Sequence, residues 1–390
     1  MRHTDGVEYS LERLADATAD LTGPFAVIDQ VALESNAANL LGRAAPKPVR
    51  IATKSVRVRS IIEQQLKNGF HGVMTYSLAE SLWLSELGVK DILLAYPSVD
   101  RMAIRELSSN QEAIQNITLM VDSVSGLNLI ESALTKGLAR IRVAIDVDSS
   151  LQIGGVHLGA RRSPLHTAKE VEDLAIEILR RESFDLVGLM FYDAQIAGLA
   201  DSSAAVRLVK RMSNKELLKR RAQIVSTIEQ HCSISIVNGG GTGSLSVTSK
   251  DGAINELTAG SGLFHSHHFD NYDEFTGHPA AYFVTQVVRK PTNEIATVFS
   301  GGFIASGAAG KSRLPIPVWP AGLALLGTEG AGEVQTPVKG ASHLSIGDQV
   351  WFRHTKAGEM CERFDEVHIV DSNGNRTTVP TYRGEGKNFG

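Results

Sequence analysis

The sequence has only two cysteines in 390 residues, Cys232 and Cys361. They form no CxxC pair, and so small a number gives no disulfide framework. An excess of one charge is also missing. The 39 Lys and Arg stand against 43 Asp and Glu, a formal net charge of −4 with both signs interspersed. No basic stripe or polybasic run offers a surface to nucleic acid or to an anionic membrane. The longest apolar runs are strand-sized, short of the ~20 residues that a membrane-crossing helix needs. The opening MRHTDGVEYSLERLADATAD has no apolar signal core, so the expectation is a cytoplasmic protein. Internal repeats and low-complexity tracts are absent too.

What is present is an ordinary globular composition, 43% hydrophobic and 21% charged, on a chain long enough for a barrel of about 250 residues plus a second domain. Short β-branched runs alternate with amphipathic stretches. The predicted strands are Val49–Thr53, Gly72–Tyr76, Asp91–Tyr96, Ile117–Asp122, Ile141–Asp146, Leu186–Tyr192, Ser233–Asn238 and Ile254–Thr258. Helical patterns lie between them at Val56–Asn68, Ser77–Leu87, Ser123–Thr135, Ala168–Arg181 and Ser203–His231, the last with an expected break near Ser213. Eight strands separated by helices close a parallel (β/α)8 barrel. An open doubly wound sheet would be expected to carry a GxGxxG turn after an early strand, and none is there.

After residue 275 the texture changes to Pro, Gly and short alternating runs, at Ala281–Val288, Ile295–Ser300, Asp348–Phe352 and Glu366–Val370. The predicted fold class is therefore α/β, a TIM-like barrel over residues 24–275 with an all-β domain over 276–390. Residues 1–23 and the strand Phe25–Asp29 precede the barrel proper and either pack on the second domain or join it.

In such a barrel, chemistry sits at the C-terminal ends of the strands. Lys54 follows the first strand in RIATKSVRV. It is either a solvated surface lysine or a poorly solvated amine competent to form a Schiff base. The loop Asn238-Gly239-Gly240-Gly241-Thr242-Gly243-Ser244 follows the seventh strand, and Ala259-Gly260-Ser261-Gly262 ends the eighth. Glycines let backbone N–H groups face a ligand, and Thr242 and Ser244 add hydroxyls, so the pair of turns makes a phosphate cradle. An amine and a phosphate anchor on opposite sides of one barrel mouth describe a site for pyridoxal 5′-phosphate (PLP). Tyr192 closes the sixth strand and either stacks on a ring or packs the rim. Asp146 and Asp148 line the mouth or cap their loop, and Arg161 and Arg162 bind a substrate carboxylate or are solvated.

The segments PFAVIDQVALESNAANL, IATKSVRVRSI, GVMTYSLAESLWLSELGVKDILLAYP, LVGLMFYDAQ, VNGGGTGS, ELTAGSG and IGDQVWFRHTKAGEMCERFDEVHIV resemble the PLP-dependent alanine racemase-type family, in particular its D-threonine aldolase and D-serine dehydratase branch. The resemblance implies that Lys54 carries PLP, that Gly240, Gly241, Thr242, Gly243, Gly260 and Ser261 hold its phosphate, and that Tyr192 lies beside it. It also implies a homodimer and an amino acid substrate. The branch carries a divalent-metal pair, a His followed two residues later by Asp or Cys. Aligned on Val350–Phe352 and Asp365–Val367, those positions hold Lys356 and Gly358. The expectation is a metal-free site in which the Lys356 ammonium replaces the cation. The alternatives are a shifted metal site at His354 and Cys361, or one at His265–His268. The arginine that alanine racemases place after the fifth strand is replaced by Leu151 and Gln152. The one beside the pyridine nitrogen falls near Thr258, a neutral partner that makes a weaker electron sink.

The expected activity is a PLP-dependent lyase acting on a D-β-hydroxy amino acid by retro-aldol cleavage, with Tyr192, His265 or a water near Lys356 as the base. The alternatives are a D-serine-type dehydratase or deaminase, an amino acid racemase, a non-catalytic PLP-binding protein and a sugar-phosphate barrel without PLP.

Overall fold

The computed structural model describes residues 11–135 and 140–390. The barrel is built from β2 (Val49–Ala52), β3 (Val73–Thr75), β4 (Ile92–Leu94), β5 (Ile117–Val121), β6 (Ile141–Asp146), β9 (Phe184–Phe191), β10 (Ile236–Gly239) and β11 (Glu256–Ala259), while β1 (Phe25–Asp29), β7 (Leu151–Ile153) and β8 (Val156–Leu158) lie outside it. Its eight strands pair in parallel in that order and close where β11 meets β2. Apolar residues face both ways along them. Leu93, Met120, Ala144, Met190 and Ile236 fill the barrel interior. Their alternating neighbours Ile92, Leu94, Leu119, Val121, Val143, Ile145 and Leu189 belong to the larger core that the helices cover. Burial on both faces is why these strands read as continuous hydrophobic runs.

The helices start where the sequence signals them. The Ser77 hydroxyl accepts from the Glu80 amide at 3.2 Å, and Thr167 with Glu170 forms a capping box. The expected break near Ser213 does not occur: Ala204–Glu229 is one continuous helix of 26 residues. Lys, Glu, Leu and Arg on either side are strong helix formers and outweigh the single serine. In the loop after β6 a small hairpin forms, with β7 and β8 paired antiparallel across Gly154-Gly155. Both glycines have positive φ, 56° and 83°, as a two-residue hairpin turn requires.

The second sheet contains β12 (Ala281–Thr292), β13 (Ile295–Phe299), β14 (Ile316–Trp319), β15 (Ala324–Leu325), β16 (Gln335–Lys339), β17 (Gln349–Arg353), β18 (Glu366–Val370) and β19 (Arg376–Pro380). β1 joins it, antiparallel to β12 and parallel to β18. Of the two placements open to this strand, the chain takes the one in the second sheet, and only then enters the barrel. The helix Leu11–Ala17 packs Leu14 and Ala15 against Phe25, Val27, Tyr282, Val284 and Trp351. The second sheet sends two segments to the barrel mouth, the turn Lys311–Arg313 and the helix Ala357–Cys361. Among the described residues no helix is long and apolar enough to cross a membrane.

Candidate active site

A cavity of about 570 Å³ opens at the C-terminal end of the barrel and is roofed by segments of the second sheet. Lys54 enters it from the 3-10 turn Thr53–Ser55 that ends β2. Its Nζ lies 2.7 Å from the hydroxyl of Tyr96, which follows β4. Burial pushes the Tyr96 phenol upward. The Lys54 ammonium with its hydrogen bond, together with the Arg162 guanidinium, outweighs burial, so the net shift is downward. Arg162 lies over the rings of both Tyr96 and Tyr192, 5.3 Å from each centroid. Tyr192 follows β9 directly, and burial pushes its phenol upward.

The two glycine turns meet beside the Lys54 turn and not opposite it, because β10, β11 and β2 are neighbouring staves of the barrel. Gly240 has φ +79°, a conformation that a side chain disfavours, and a Cβ on Gly241 would sit 2.8 Å from the Ala197 methyl. The Thr242 and Ser261 hydroxyls are 3.2 Å apart, and the Thr242 hydroxyl accepts from the Gly262 amide at 3.0 Å. The loop is held from behind by Asp193, which is fully buried. It accepts from Ser244 Oγ and Thr248 Oγ1, both at 3.0 Å, and pairs with Arg221 at 3.1 Å.

On the pocket floor, Thr258 of β11 exchanges hydrogen bonds with the Asn238 amide, at 2.8 and 3.1 Å. From the second sheet come Lys356, Ser306, Glu359 and Arg313. Lys356 donates to Ser306 Oγ at 2.7 Å and lies 3.5 Å from Glu359, and Ser306 Oγ donates to Glu359 at 2.5 Å. His268 also reaches the cavity. Its Nε2 lies 3.3 Å from the Gly198 carbonyl, which can only accept, so Nε2 carries the hydrogen and Nδ1 keeps a lone pair. Burial and the nearby Arg313 hold this imidazole below its ordinary pKa, in the neutral form.

The chain matches the alanine racemase N-terminal domain family over residues 28–267. It belongs to that family. It is 22% identical over 302 residues to the 3-hydroxy-D-aspartate aldolase of Paracoccus denitrificans (strain Pd 1222), covering 73% of each chain. A D-threonine aldolase structure from Filomicrobium marinum is similar with a TM-score of 0.78 at 19% identity, over 94% of this chain and 96% of that one. The D-threo-3-hydroxyaspartate dehydratase of Delftia sp. HT23 gives a TM-score of 0.72 at 18% identity, over 93% and 97%. At these identities the solved structures show a shared fold.

Within this alanine racemase-type barrel, Lys54, Tyr192, Gly240, Gly241, Thr242, Gly260, Ser261 and Lys356 all line the one cavity. Other expected residues lie elsewhere. Gly243 packs against the Ala197 carbonyl and the Tyr272 ring, away from the cavity. His354 and Cys361 are fully enclosed and do not line it; burial pushes the His354 imidazole down to about 3 and the Cys361 thiol up to about 12. His265, proposed as a base, is shut among Phe269 and Phe275, with burial pushing its pKa down to about 4. His267 bonds Thr355 and the Leu314 carbonyl. Among the described residues no group of three or more His, Cys, Asp or Glu is placed to hold a metal.

Asp148 closes its own loop, accepting from Ser150 N and Oγ and from Gln152. Asp146 is buried at the end of β6, where burial and Asp122 push its carboxyl up to about 7. Arg161 is exposed outside the cavity. Sequence reasoning missed Tyr96 and the trio Ser306, Arg313 and Glu359, and it named Asn238 only as part of the glycine loop and His268 only as part of a candidate metal cluster. Tyr96 carried the same signal as Tyr192, an aromatic just past a barrel strand. The trio carried none, because only the fold brings that segment to the barrel.

The residues present fit PLP. The glycine turns are shaped for backbone approach to a phosphate, the amine lines the same cavity, and the volume suits a ring plus a small substrate.

Proposed function

We propose that this chain is a PLP-dependent lyase that cleaves a D-configured β-hydroxy amino acid between Cα and Cβ. The observation that carries the reading is Lys54, held at 2.7 Å by Tyr96 and sharing one cavity with two glycine turns. When bound, PLP supplies an electron sink for the bond broken at Cα.

The chain's own residues supply the rest. Lys54 is the attachment amine. Gly240, Gly241, Thr242, Gly260 and Ser261 hold the phosphate, and Tyr192 packs against the ring. The Thr258 hydroxyl, tied to Asn238, is a neutral neighbour to the ring. The His268 Nδ1 lone pair takes the proton of the β-hydroxyl. Lys356 orients that hydroxyl with its single positive charge, in the place that a divalent metal would otherwise take. A homodimer, implied by the family resemblance, and a cytoplasmic location complete the proposal; sedimentation of the purified protein tests the dimer.

The deciding experiment is a product assay on PLP-loaded protein with D-threonine, D-allo-threonine and D-serine, with EDTA and with added Mn²⁺ or Zn²⁺. Acetaldehyde and glycine are expected, with no loss in EDTA. A 2-oxo acid and ammonia would replace the aldolase with a dehydratase. Activity restored only by metal would remove Lys356 from its assigned role.

A further inference from the structure

Attachment of a cofactor aldehyde asks something of Lys54 that the glycine turns do not supply. An ammonium has no lone pair, so the amine must lose a proton before it can bond to carbon. The cavity offers few acceptors for that proton. Its one carboxylate, Glu359, is taken up by Lys356 and by both the amide and the hydroxyl of Ser306. Lys54 takes part in no ion pair among the described residues. The side chain that its Nζ bonds is Tyr96, at 2.7 Å.

The Tyr96 oxygen is the common acceptor of two cations. Lys54 reaches it from the turn after β2, and Arg162 donates to it from the loop after β8. Both cations also lie over the Tyr96 ring, 5.4 and 5.3 Å from its centroid. Among the described residues this oxygen donates to no acceptor. A phenol oxygen that accepts twice and donates nowhere is arranged to hold negative charge rather than a proton. Tyr96 is alone in this. Burial pushes Tyr76, Tyr192, Tyr272, Tyr282 and Tyr382 upward. At Tyr96 burial acts the same way, but the two cations outweigh it.

We propose that Tyr96 is the proton acceptor that frees the Lys54 amine for attachment to the cofactor, and the donor that restores the ammonium when a substrate amine displaces it. This rests on the PLP reading. The proton passes between atoms 2.7 Å apart, from Nζ to the phenolate oxygen. The freed lone pair forms the bond to the aldehyde carbon, and the aldehyde oxygen leaves as water with the two hydrogens left on Nζ. An ammonium and a phenolate enter; a neutral C=N bond and a phenol result. When a neutral substrate amine takes over the carbon, Tyr96 returns its proton to the released Lys54. Tyr96 is catalytic because it touches the reacting nitrogen. Arg162 acts through Tyr96 and is a positioning residue.

Two readouts test this, and neither is turnover. The first is the ultraviolet difference absorbance of cofactor-free protein as pH is raised. One of the seven tyrosines is expected to ionise ahead of the rest. Tyr96→Phe should remove that early step, and Lys54→Ala or Arg162→Met should move it to higher pH. The second is the rate at which visible absorbance grows when PLP is added, followed across pH. Tyr96→Phe is expected to slow it about tenfold or more at neutral pH and to recover as pH rises, when hydroxide takes the proton instead. A native protein without the early tyrosine step overturns the proposal. So does a Tyr96→Phe rate reduced by the same factor at every pH, which is what a merely positioning role would give. Native absorbance with an unchanged rate profile in Tyr96→Phe leaves the cofactor reading standing and removes this one. An early tyrosine step without any absorbance on adding PLP overturns the cofactor reading, and this one with it.

Discussion

The backbone of Gly358 lies against the carbonyl of Lys54, so closely that a Cβ at 358 would overlap that oxygen. The helix Ala357–Cys361 therefore rests directly on the turn that presents Lys54. A metal-binding side chain at 358 has no room here, which is a structural reason to expect the Lys356 ammonium in place of a metal. Gly358→Ala is expected to shift the Lys54 turn at a cost of about 1–3 kcal/mol. Cofactor occupancy and kcat should both fall, read from the visible absorbance of Lys-bound PLP and from turnover.

Lys54→Ala should abolish that absorbance and all turnover. Tyr96→Phe should keep the absorbance and lower kcat about tenfold or more, because a hydrogen bond to a charged amine is lost. A Lys54→Ala protein that stays yellow would falsify the central assignment.

The glycine loop depends on a buried ion pair. Arg221 and Asp193 are both fully buried, and Arg221 also donates to the Phe191 carbonyl at 3.1 Å. Arg221→Met leaves the Asp193 carboxylate unpaired and should cost about 3–5 kcal/mol in urea unfolding. PLP affinity should weaken as well, since Asp193 anchors Ser244 and Thr248. Unchanged PLP affinity in a folded variant would detach the loop from this support.

Glu80 predicts a pH effect. Burial is the main cause that pushes its carboxyl up to about 7, although it accepts from the Tyr76 amide and the Tyr382 hydroxyl. An acid raised in the folded state favours folding while it is protonated. Its contribution is complete below the unfolded value of 4.5 and is lost as pH rises through 7. The span is worth about 3 kcal/mol. Glu80→Gln should flatten the fall in stability between those pH values, measured by urea midpoints across the range. Asp146 titrates in the same direction, so part of the slope should remain.

Lys54, Tyr192 and the two glycine turns were legible in the sequence for one reason. Each lies at the end of a strand whose apolar run marks it as a barrel stave, and the barrel rule then puts those ends in one mouth. The helix caps at Ser77 and Thr167 were equally local. The long helix through Ser213 was misread because a serine signal was given more weight than the helix formers around it.

His265 and His268 show the limit of spacing. They are three residues apart, yet one is sealed among phenylalanines and the other faces the cavity. Gly243 faces away from the cavity for the same kind of reason. The direction of a side chain in an irregular loop is set by packing and not by a period. Likewise β1 was legible as a strand, but its neighbours β12 and β18 are separated from it by more than 200 residues.

The sequence by itself determined the barrel and put Lys54 and the two glycine turns at its mouth, because each depends on local periodicity and on backbone freedom at glycine. Only the tertiary structure decided which cations share the cavity. Arg162 and Arg313 lie 151 positions apart and meet in one cavity through the packing of the second domain on the barrel mouth.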